Sequence, residues 1–207
     1  MITVHHLNES RSQRILWLLE ELGLPYEIKF YQRDATTNLA PPELLAVHPL
    51  GKSPVITDGD RTIAESGAIV DYIVRRHAGG RLAPDPASAD YDRYQEWLHY
   101  AEGSAMLPLM LLLYTLRLGE AGAGLQPRIS EEIANHLGYV NKSLEGRDYL
   151  MGDFSAADVQ MSFVGEVGRA FGRLADHPNV DAWVSRLHER AGYKAGIAKG
   201  GAYNLGR

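Results

Sequence analysis

Two serines at the junction between a predicted strand and a predicted helix are the first residues whose types and spacing suggest chemistry. Ser10 and Ser12 precede the apolar stretch of that helix, so either one could cap it by accepting a hydrogen bond from a free backbone N–H. A hydroxyl there, beside free N–H groups and the positive end of the helix dipole, is also a good donor to an anion. The spacing therefore leaves two interpretations open, a helix cap and an anion site.

The segment G-K-S-P-V-I, residues 51–56, places a proline at the start of a predicted strand. Pro54 cannot donate to a sheet ladder, so it belongs at an edge or in a loop. If the Ser53–Pro54 bond is cis, the backbone N–H and C=O of Ser53 face outward and could pair with an extended peptide as an added strand. Lys52, one residue earlier, is within reach of a carboxylate on such a peptide.

The segment A-E-S-G-A-I, residues 64–69, opens a second predicted helix. One interpretation is that Ser66 caps this helix and that Glu65 is a solvated charge. The alternative is that the N–H groups of Ser66 and Gly67, with the Ser66 hydroxyl, bind a carboxylate while Glu65 binds an ammonium group. The second interpretation predicts a site for a zwitterion.

The composition limits what else the chain can do. Its 207 residues are 45% hydrophobic and 23% charged, an ordinary mixture for a soluble protein. Because there is no cysteine, disulfides, thiolate-bound metals and a protein thiol nucleophile are excluded. Any sulfur chemistry must therefore come from a ligand. The histidines lack metal-ligand spacings such as H-E-x-x-H, so we expect no metal.

Charge and hydropathy argue against two classes of partner. The net charge of -5, with Lys and Arg scattered along the chain, is not that of a nucleic-acid-binding protein. The longest apolar run, Met106–Leu116, spans 11 residues, whereas a bilayer needs about 20. The first residues lack the basic and apolar regions of a secretory signal. We therefore expect a cytoplasmic protein without a nucleic-acid or membrane partner.

These candidate residues need a scaffold, and the first 80 residues alternate short strands with helices. The periodicity predicts the order β-α-β-α-β-β-α, a small α/β domain with one parallel crossover and a terminal hairpin at Asp58-Gly59. Gly23 is a candidate C-cap of the first long helix. The predicted strands and long helices are Ile2–Leu7, Ser12–Leu22, Tyr26–Phe30, Pro54–Thr57, Arg61–Ala64 and Ser66–His77.

Residues 81–88 contain two prolines and no periodicity, which predicts a linker. The rest of the chain, residues 89–207, is predicted to be an all-helical domain. A long helix is expected to kink at Pro108, and the glycine-rich residues from Gly196 are expected to form a tail. The predicted helices are Asp90–Leu118, Pro127–Leu144, Ala156–Leu174 and Val180–Arg190.

Taken in order, the motifs resemble those of the cytosolic glutathione transferase family, in its serine-type bacterial and fungal branch, over nearly the whole chain. The segment G-D-F-S-A-A-D is similar to the family's helix N-cap box, in which Ser155 caps the helix and Asp158 accepts from the Ser155 N–H. The resemblance implies a thioredoxin-like N-terminal domain followed by an all-helical C-terminal domain. The segments that carry it are residues 6–11, 10–14 (S-x-x-x-R), 48–54, 53–56 (S-P-V-I), 65–69 (E-S-G-A-I) and 152–158.

The resemblance implies that glutathione is the co-substrate and assigns each part of it to a residue. Glu65 and Ser66 would bind the γ-glutamyl end, the Ser53 backbone beside Pro54 the cysteinyl amide, and Lys52 the glycine carboxylate. The thiol would then face the serine-rich loop. By the S-x-x-x-R pattern that residue is Ser10, with Ser12 as the second choice and Arg11 as a candidate thiolate-facing charge.

The energetics assign serine the role of a hydrogen-bond donor. A free thiol has a pKa of ~8.5, and lowering it by ~2 units takes about 2.7 kcal/mol of preferential thiolate stabilisation. A charge-assisted hydrogen bond combined with the positive end of a helix is of that size. A serine by itself is too weak a base to remove the thiol proton.

The resemblance also implies an apolar electrophile held by the second domain and a homodimer. Met106, Met110 and Tyr114 are the candidate pocket residues, although an apolar stripe at helical spacing is also typical of a core. Glu102 is a candidate to meet glutathione bound by a neighbouring subunit. Two alternative functions remain open from sequence: a glutathione-dependent disulfide reductase or peroxidase, and a non-catalytic interaction module of the same fold.

Overall fold

The computed structural model describes residues 1–202 and Leu205, and it divides the chain into two compact units. Among the described residues, the first unit contains residues 1–83 and 188–202, and the second contains Pro84–Leu187 and Leu205. The sequence-based boundaries placed everything after residue 88 in the second domain. The difference concerns the C-terminal helix, which packs within the first unit.

A four-stranded mixed sheet in the order β2-β1-β3-β4 forms the base of the first unit. Strands β1 and β2 are parallel, whereas β1–β3 and β3–β4 are antiparallel. This is the thioredoxin-like arrangement that the resemblance implied. In the β3–β4 hairpin Asp58 pairs with Arg61, so the turn lies at Gly59-Asp60, one residue later than predicted. The strands are β1 (Ile2–Leu7), β2 (Tyr26–Tyr31), β3 (Val55–Asp58) and β4 (Arg61–Ala64).

Helix α1 (Ser12–Leu22) is the crossover between β1 and β2, and it is buried along most of its length. Its leucine-rich sequence is hydrophobic on more than one face, as expected for a helix packed on two sides. It ends at Gly23, whose φ of 61° and N–H bond to the Glu20 carbonyl confirm the predicted C-cap. Helix α2 (Ser66–His77) completes the unit's N-terminal part, after a short 3₁₀ helix at Pro42–Ala46.

The prediction of a glycine-rich tail from Gly196 is wrong for the described residues, because Ala191–Gly200 form a helix, α8, that packs on α1. Gly192, Gly196 and Gly200 recur every four residues and so lie on one helix face. A Cβ on Gly196 would lie 3.0 Å from both the Cα and the N of Trp17. The glycines therefore allow a close contact between α8 and α1. The prediction failed because a flexible tail and a helix face that packs closely can both be rich in glycine.

The second unit is helical among its described residues, and its first long helix is interrupted. A π-helical turn at Ala101–Ala105 separates α3 from α4, and Pro108 lies in the first turn of α4. The predicted kink at Pro108 is therefore misplaced by about one turn. Because proline has no N–H to donate, the hydrogen-bond ladder is disturbed in the turn before it. The helices are α3 (Asp90–Tyr100), α4 (Met106–Arg117), α5 (Gln126–Ser143), α6 (Ala156–Ala170) and α7 (Pro178–Glu189), the last ending in the first unit.

The predicted N-cap box at the start of α6 is confirmed. Ser155 donates its backbone N–H to Asp158 Oδ2 at 2.9 Å and its hydroxyl to the same oxygen at 3.1 Å. The other carboxylate oxygen accepts from the Leu150 N–H at 3.0 Å and from Trp183 Nε1 at 2.9 Å. Burial raises the pKa of the Asp158 carboxyl, and these hydrogen bonds act in the opposite direction.

Candidate functional site

The two candidate serines lie together in the turn between β1 and α1, but they differ in access to solvent. Ser10 retains 5% of its accessible surface and Ser12 retains none. The two hydroxyl oxygens are 2.7 Å apart, and the Ser12 N–H donates to Ser10 Oγ at 3.2 Å. Ser10 therefore satisfies one of the free N–H groups of α1. Arg11, between them, occupies the N-cap position without a capping side-chain bond.

A histidine lies behind Ser12, and the sequence analysis did not assign it to the site. His6 Nδ1 is 2.8 Å from Ser12 Oγ, and His6 Nε2 is 2.9 Å from the carbonyl oxygen of Gly200. Burial lowers the pKa of His6, and the bond to the Gly200 carbonyl acts in the opposite direction. Two sequence signals touched it: the segment 6–11, which carries the resemblance, and the alternation along β1, which puts His6 on the face opposite to His5.

The serine-bearing turn is held in place by the guanidinium of Arg33, a second residue that the sequence analysis missed. It donates to the carbonyls of Asn8 at 3.1 Å, Glu9 at 3.2 Å and Asn38 at 3.0 Å. Burial lowers the pKa of Arg33; Glu9 raises it, and the nearby charge of Arg11 lowers it again. Arg11 and Arg33 therefore give the turn a positive potential, which suits an anion.

The Ser53–Pro54 peptide bond is cis, and Pro54 is buried at the start of β3. Ser53 Oγ donates to the carbonyl of His5 at 2.9 Å and lies 3.5 Å from Ser10 Oγ. Within the part of the chain that the structure describes, Ser53 forms hydrogen bonds through its hydroxyl and none through its backbone. Lys52 is exposed beside it. The fold thus brings the second predicted segment to the first.

The third predicted segment begins α2. Glu65 is exposed and has a φ of 68°, an uncommon conformation for a residue other than glycine. Ser66 is buried, and its Oγ accepts a hydrogen bond from Nη1 of the buried Arg14 on α1 at 3.1 Å. Arg14, quoted in the sequence analysis only as part of a motif, therefore brings a positive charge to the helix N-terminus.

The candidate pocket residues of the second unit have different environments on α4. Met106 is 1% exposed and belongs to the core of that unit, Met110 is half-buried, and Tyr114 is 52% exposed. Glu102 lies in the π-helical turn and is partly exposed. The apolar stripe is thus divided between core packing at Met106 and an accessible face at Tyr114.

Across residues 1–202, no cluster of three or more His, Asp or Glu side chains is arranged to hold a metal ion. In the same part of the chain, every helix is too short or too polar to cross a membrane.

A thioredoxin-like unit with a polar, anion-suited edge, joined to a helical unit, defines a class of thiol-handling proteins. The family description "Glutathione S-transferase, N-terminal domain" matches residues 1–75, and "Glutathione S-transferase, C-terminal domain" matches residues 104–191. The chain therefore belongs to the glutathione S-transferase family.

Curated relatives and solved structures agree with this assignment. Glutathione S-transferase 3 of Schizosaccharomyces pombe is 33% identical over 92% of this chain and 84% of its own length. Glutathione S-transferase 1 of Saccharomyces cerevisiae is 33% identical over 96% of this chain and 95% of its own length. The crystal structure of a glutathione S-transferase from Actinobacillus pleuropneumoniae covers 100% of this chain and 96% of its own, with 35% identity and a TM-score of 0.89. These matches support transferase activity and favour neither alternative function.

Proposed function

We propose that this glutathione transferase binds glutathione along the edge of its first unit that is formed by Ser10, Ser53 and the N-terminus of α2. Glutathione is an extended tripeptide with a zwitterionic γ-glutamyl end, a thiol and a glycine carboxylate. The observation that carries the proposal is the 3.5 Å separation of Ser10 Oγ and Ser53 Oγ. Because of it, one extended peptide can contact both segments at once.

The γ-glutamyl end is assigned to the start of α2. Its carboxylate meets the backbone N–H groups of the first turn of α2, at Ser66 and Gly67, and its ammonium group meets the exposed Glu65. Arg14, bonded to the Ser66 hydroxyl, adds a buried positive charge that favours the carboxylate. The positive end of the α2 dipole acts in the same direction.

The cysteinyl residue and the glycine carboxylate of glutathione are assigned to the Ser53 backbone and to the exposed Lys52. The N–H and C=O of Ser53 pair with the cysteinyl residue as an added strand would. Lys52 binds the glycine carboxylate, in a solvated ion pair that contributes little to affinity. This direction of binding leaves the thiol at Ser10.

The thiolate is assigned to Ser10 because Ser12 has no exposed surface through which a ligand could reach it. The Ser10 hydroxyl donates to the sulfur, and the N-terminus of α1 with the nearby Arg11 favours negative charge there. The resulting thiolate attacks an apolar electrophile. By family likeness, Met106, Met110 and Tyr114 of the second unit are the candidate residues for binding that electrophile. A cytoplasmic homodimer belongs to the proposal by family likeness.

The proposal predicts that Glu65→Ala weakens glutathione binding by about tenfold or more, because the ammonium group loses its partner. Isothermal titration with glutathione measures this. Glu27→Ala, at an exposed glutamate on β2, is the matched control and leaves the affinity unchanged. Equal affinity in both variants would remove Glu65 from the site, and no binding by the unmodified protein would refute the site as a whole.

A further inference from the structure

A continuous hydrogen-bonded chain runs from the surface at Ser10 to the C-terminal end of α8. Ser10 Oγ lies 2.7 Å from Ser12 Oγ, which lies 2.8 Å from His6 Nδ1, and His6 Nε2 lies 2.9 Å from the Gly200 carbonyl. All four residues belong to the first unit. Ser10 retains 5% of its accessible surface, His6 3% and Ser12 none, and Ser10 is the member that lies beside Ser53 on the proposed glutathione-binding edge.

The position of every proton in this series of hydrogen bonds follows from its last acceptor, the Gly200 carbonyl. A carbonyl oxygen only accepts, so His6 Nε2 carries a proton, and in the neutral ring Nδ1 is then an acceptor. Ser12 therefore donates to Nδ1, in preference to the Leu7 carbonyl at 3.3 Å. Since the single Ser12 proton is used, the 2.7 Å contact requires Ser10 to donate to Ser12, in preference to Ser53 Oγ at 3.5 Å. The Ser10 oxygen is left as an acceptor at the surface.

We infer that His6, acting through Ser12 and Ser10, receives the proton of a thiol bound beside Ser10. The inference rests on the proposed function, which places the thiol there. The thiol S–H bond breaks as its proton passes to Ser10 Oγ, the original Ser10 proton passes to Ser12 Oγ, and the Ser12 proton passes to His6 Nδ1. The products are a thiolate and an imidazolium, and no other reactant is needed.

The transfer reverses the direction of each hydrogen bond without moving a heavy atom. After it, His6 Nδ1 donates to Ser12, Ser12 donates to Ser10, and Ser10 donates to the thiolate. The serine that is too weak a base by itself becomes a carrier, and it ends as the donor that stabilises the sulfur anion. His6 does not touch the substrate and acts only through the two serines.

The end of α8 makes the imidazolium form accessible. The Gly200 carbonyl is one of the last carbonyls of the helix, which are free of intrahelical partners and carry the negative end of the dipole. The other group facing the ring is Phe30, edge-on at 5.7 Å. Burial is the larger of the two effects on the pKa of His6 and lowers it, whereas the hydrogen bond to the Gly200 carbonyl raises it. Burial keeps the ring neutral in the free protein, and the thiolate supplies the compensating charge.

The approach of α8 is what allows the Gly200 contact. A Cβ at Gly200 would lie 2.5 Å from Gln13 Oε1 and 3.2 Å from His6 Cε1, so a side chain there would force the carbonyl away. Arg190 at the other end of α8 bonds both carboxylate oxygens of Glu21 on α1, at 2.8 and 3.0 Å. The helix is therefore fixed at both ends relative to α1.

The test counts protons released when glutathione binds. Ultraviolet absorption measures the thiolate formed, and calorimetry in two buffers of different ionisation enthalpy measures the protons that reach the solvent. The unmodified protein is expected to form thiolate while releasing well under one proton for each, because His6 retains it. His6→Asn keeps an amide oxygen that accepts from Ser12 but cannot be protonated. It is expected to release a full proton per thiolate and to lose kcat by roughly 10²-fold with little change in KM.

A second variant tests the same step from the neighbouring residue and does not depend on His6→Asn folding. Ser12→Ala cuts the chain between Ser10 and His6, so it is expected to give the same proton count and a similar loss of kcat. The double variant is expected to lose no more than either single one, since both interrupt one relay. A full proton released per thiolate by the unmodified protein would overturn the relay and leave the glutathione site intact. No binding or no thiolate would overturn the proposed function as well.

Discussion

Helices α1 and α6 each begin beside a serine in a polar setting, yet the hydrogen bonds at the two N-termini are arranged differently. At α6 the hydrogen bonds close on themselves, because Ser155, Leu150 and Trp183 all donate to Asp158. At α1 the hydrogen bonds form a line that starts at the surface with Ser10 and ends at a backbone carbonyl. In the first arrangement the polar groups bond one another, and in the second one hydroxyl is left for a ligand.

The comparison shows that residue type at a helix start does not separate a structural role from a functional one. Ser155 and Ser10 are both almost fully buried. The two N-termini differ in their acceptors. The Asp158 carboxylate accepts four hydrogen bonds at α6, whereas the α1 turn has hydroxyls that can exchange donor and acceptor roles. An N-terminus with rotatable protons and a path to the surface can respond to an anion.

The largest expected effect is at the closed N-terminus. Asp158→Ala leaves at least three buried donors without an acceptor and is expected to lower the free energy of unfolding by about 4 kcal/mol. Urea denaturation measures it. Asp158→Asn keeps one oxygen for Leu150 and Trp183 and is expected to lose less. If Asp158→Ala costs no more than an exposed substitution, α6 does not depend on its cap box.

The next effect is at the open N-terminus and appears in catalysis. Ser10→Ala removes the donor to the thiolate and is expected to reduce kcat by about 10²-fold, the size seen for loss of one donor to a developing anion. Steady-state kinetics with a chloronitroarene electrophile measures kcat and KM. Stability is expected to change by no more than about 1 kcal/mol. An unchanged kcat would exclude Ser10 as the donor to the thiolate and would leave Arg11 as the candidate.

The smallest effect is the matched change in the cap serine of α6. Ser155→Ala removes one hydroxyl bond to Asp158 but keeps the backbone N–H bond, so we expect a loss of about 1 kcal/mol in stability. Activity per folded molecule is expected to be unchanged, in contrast to Ser10→Ala. A selective loss of kcat in Ser155→Ala would show that the two N-termini are not functionally separate.

Local patterns predicted most of the elements near the site. The bounds of β1, α1, β4 and α2 agree with the periodicity, because each of these elements is delimited by polar residues, glycine or proline within a few positions. The two errors have a common cause. The break before Pro108 and the helical C-terminus depend on hydrogen bonds or contacts made away from the residue that gives the signal.

The candidate site was predicted in part. Ser10, Ser53 and Ser66 stand in short motifs, so the sequence could suggest them, and the fold brings Ser10 and Ser53 to 3.5 Å. Arg33 was missed because it belongs to no motif. His6 begins one of the segments that carry the resemblance, residues 6–11, but that motif assigned no role to the histidine. His6 becomes important only beside Gly200, and Arg33 only because the carbonyls of Asn8 and Glu9 turn toward its guanidinium.

The sequence alone determined which residues carry polar groups at helix starts, that a ligand must supply the sulfur, and that an α/β domain precedes a helical one. These are properties of composition and of spacing within a few turns. Only the tertiary structure decided how the protons of His6 and Ser12 are arranged, since the deciding carbonyl lies 194 positions away in the chain. A contact between such distant segments depends on how closely two helices pack, and the glycines of α8 allow that approach only against the particular surface of α1.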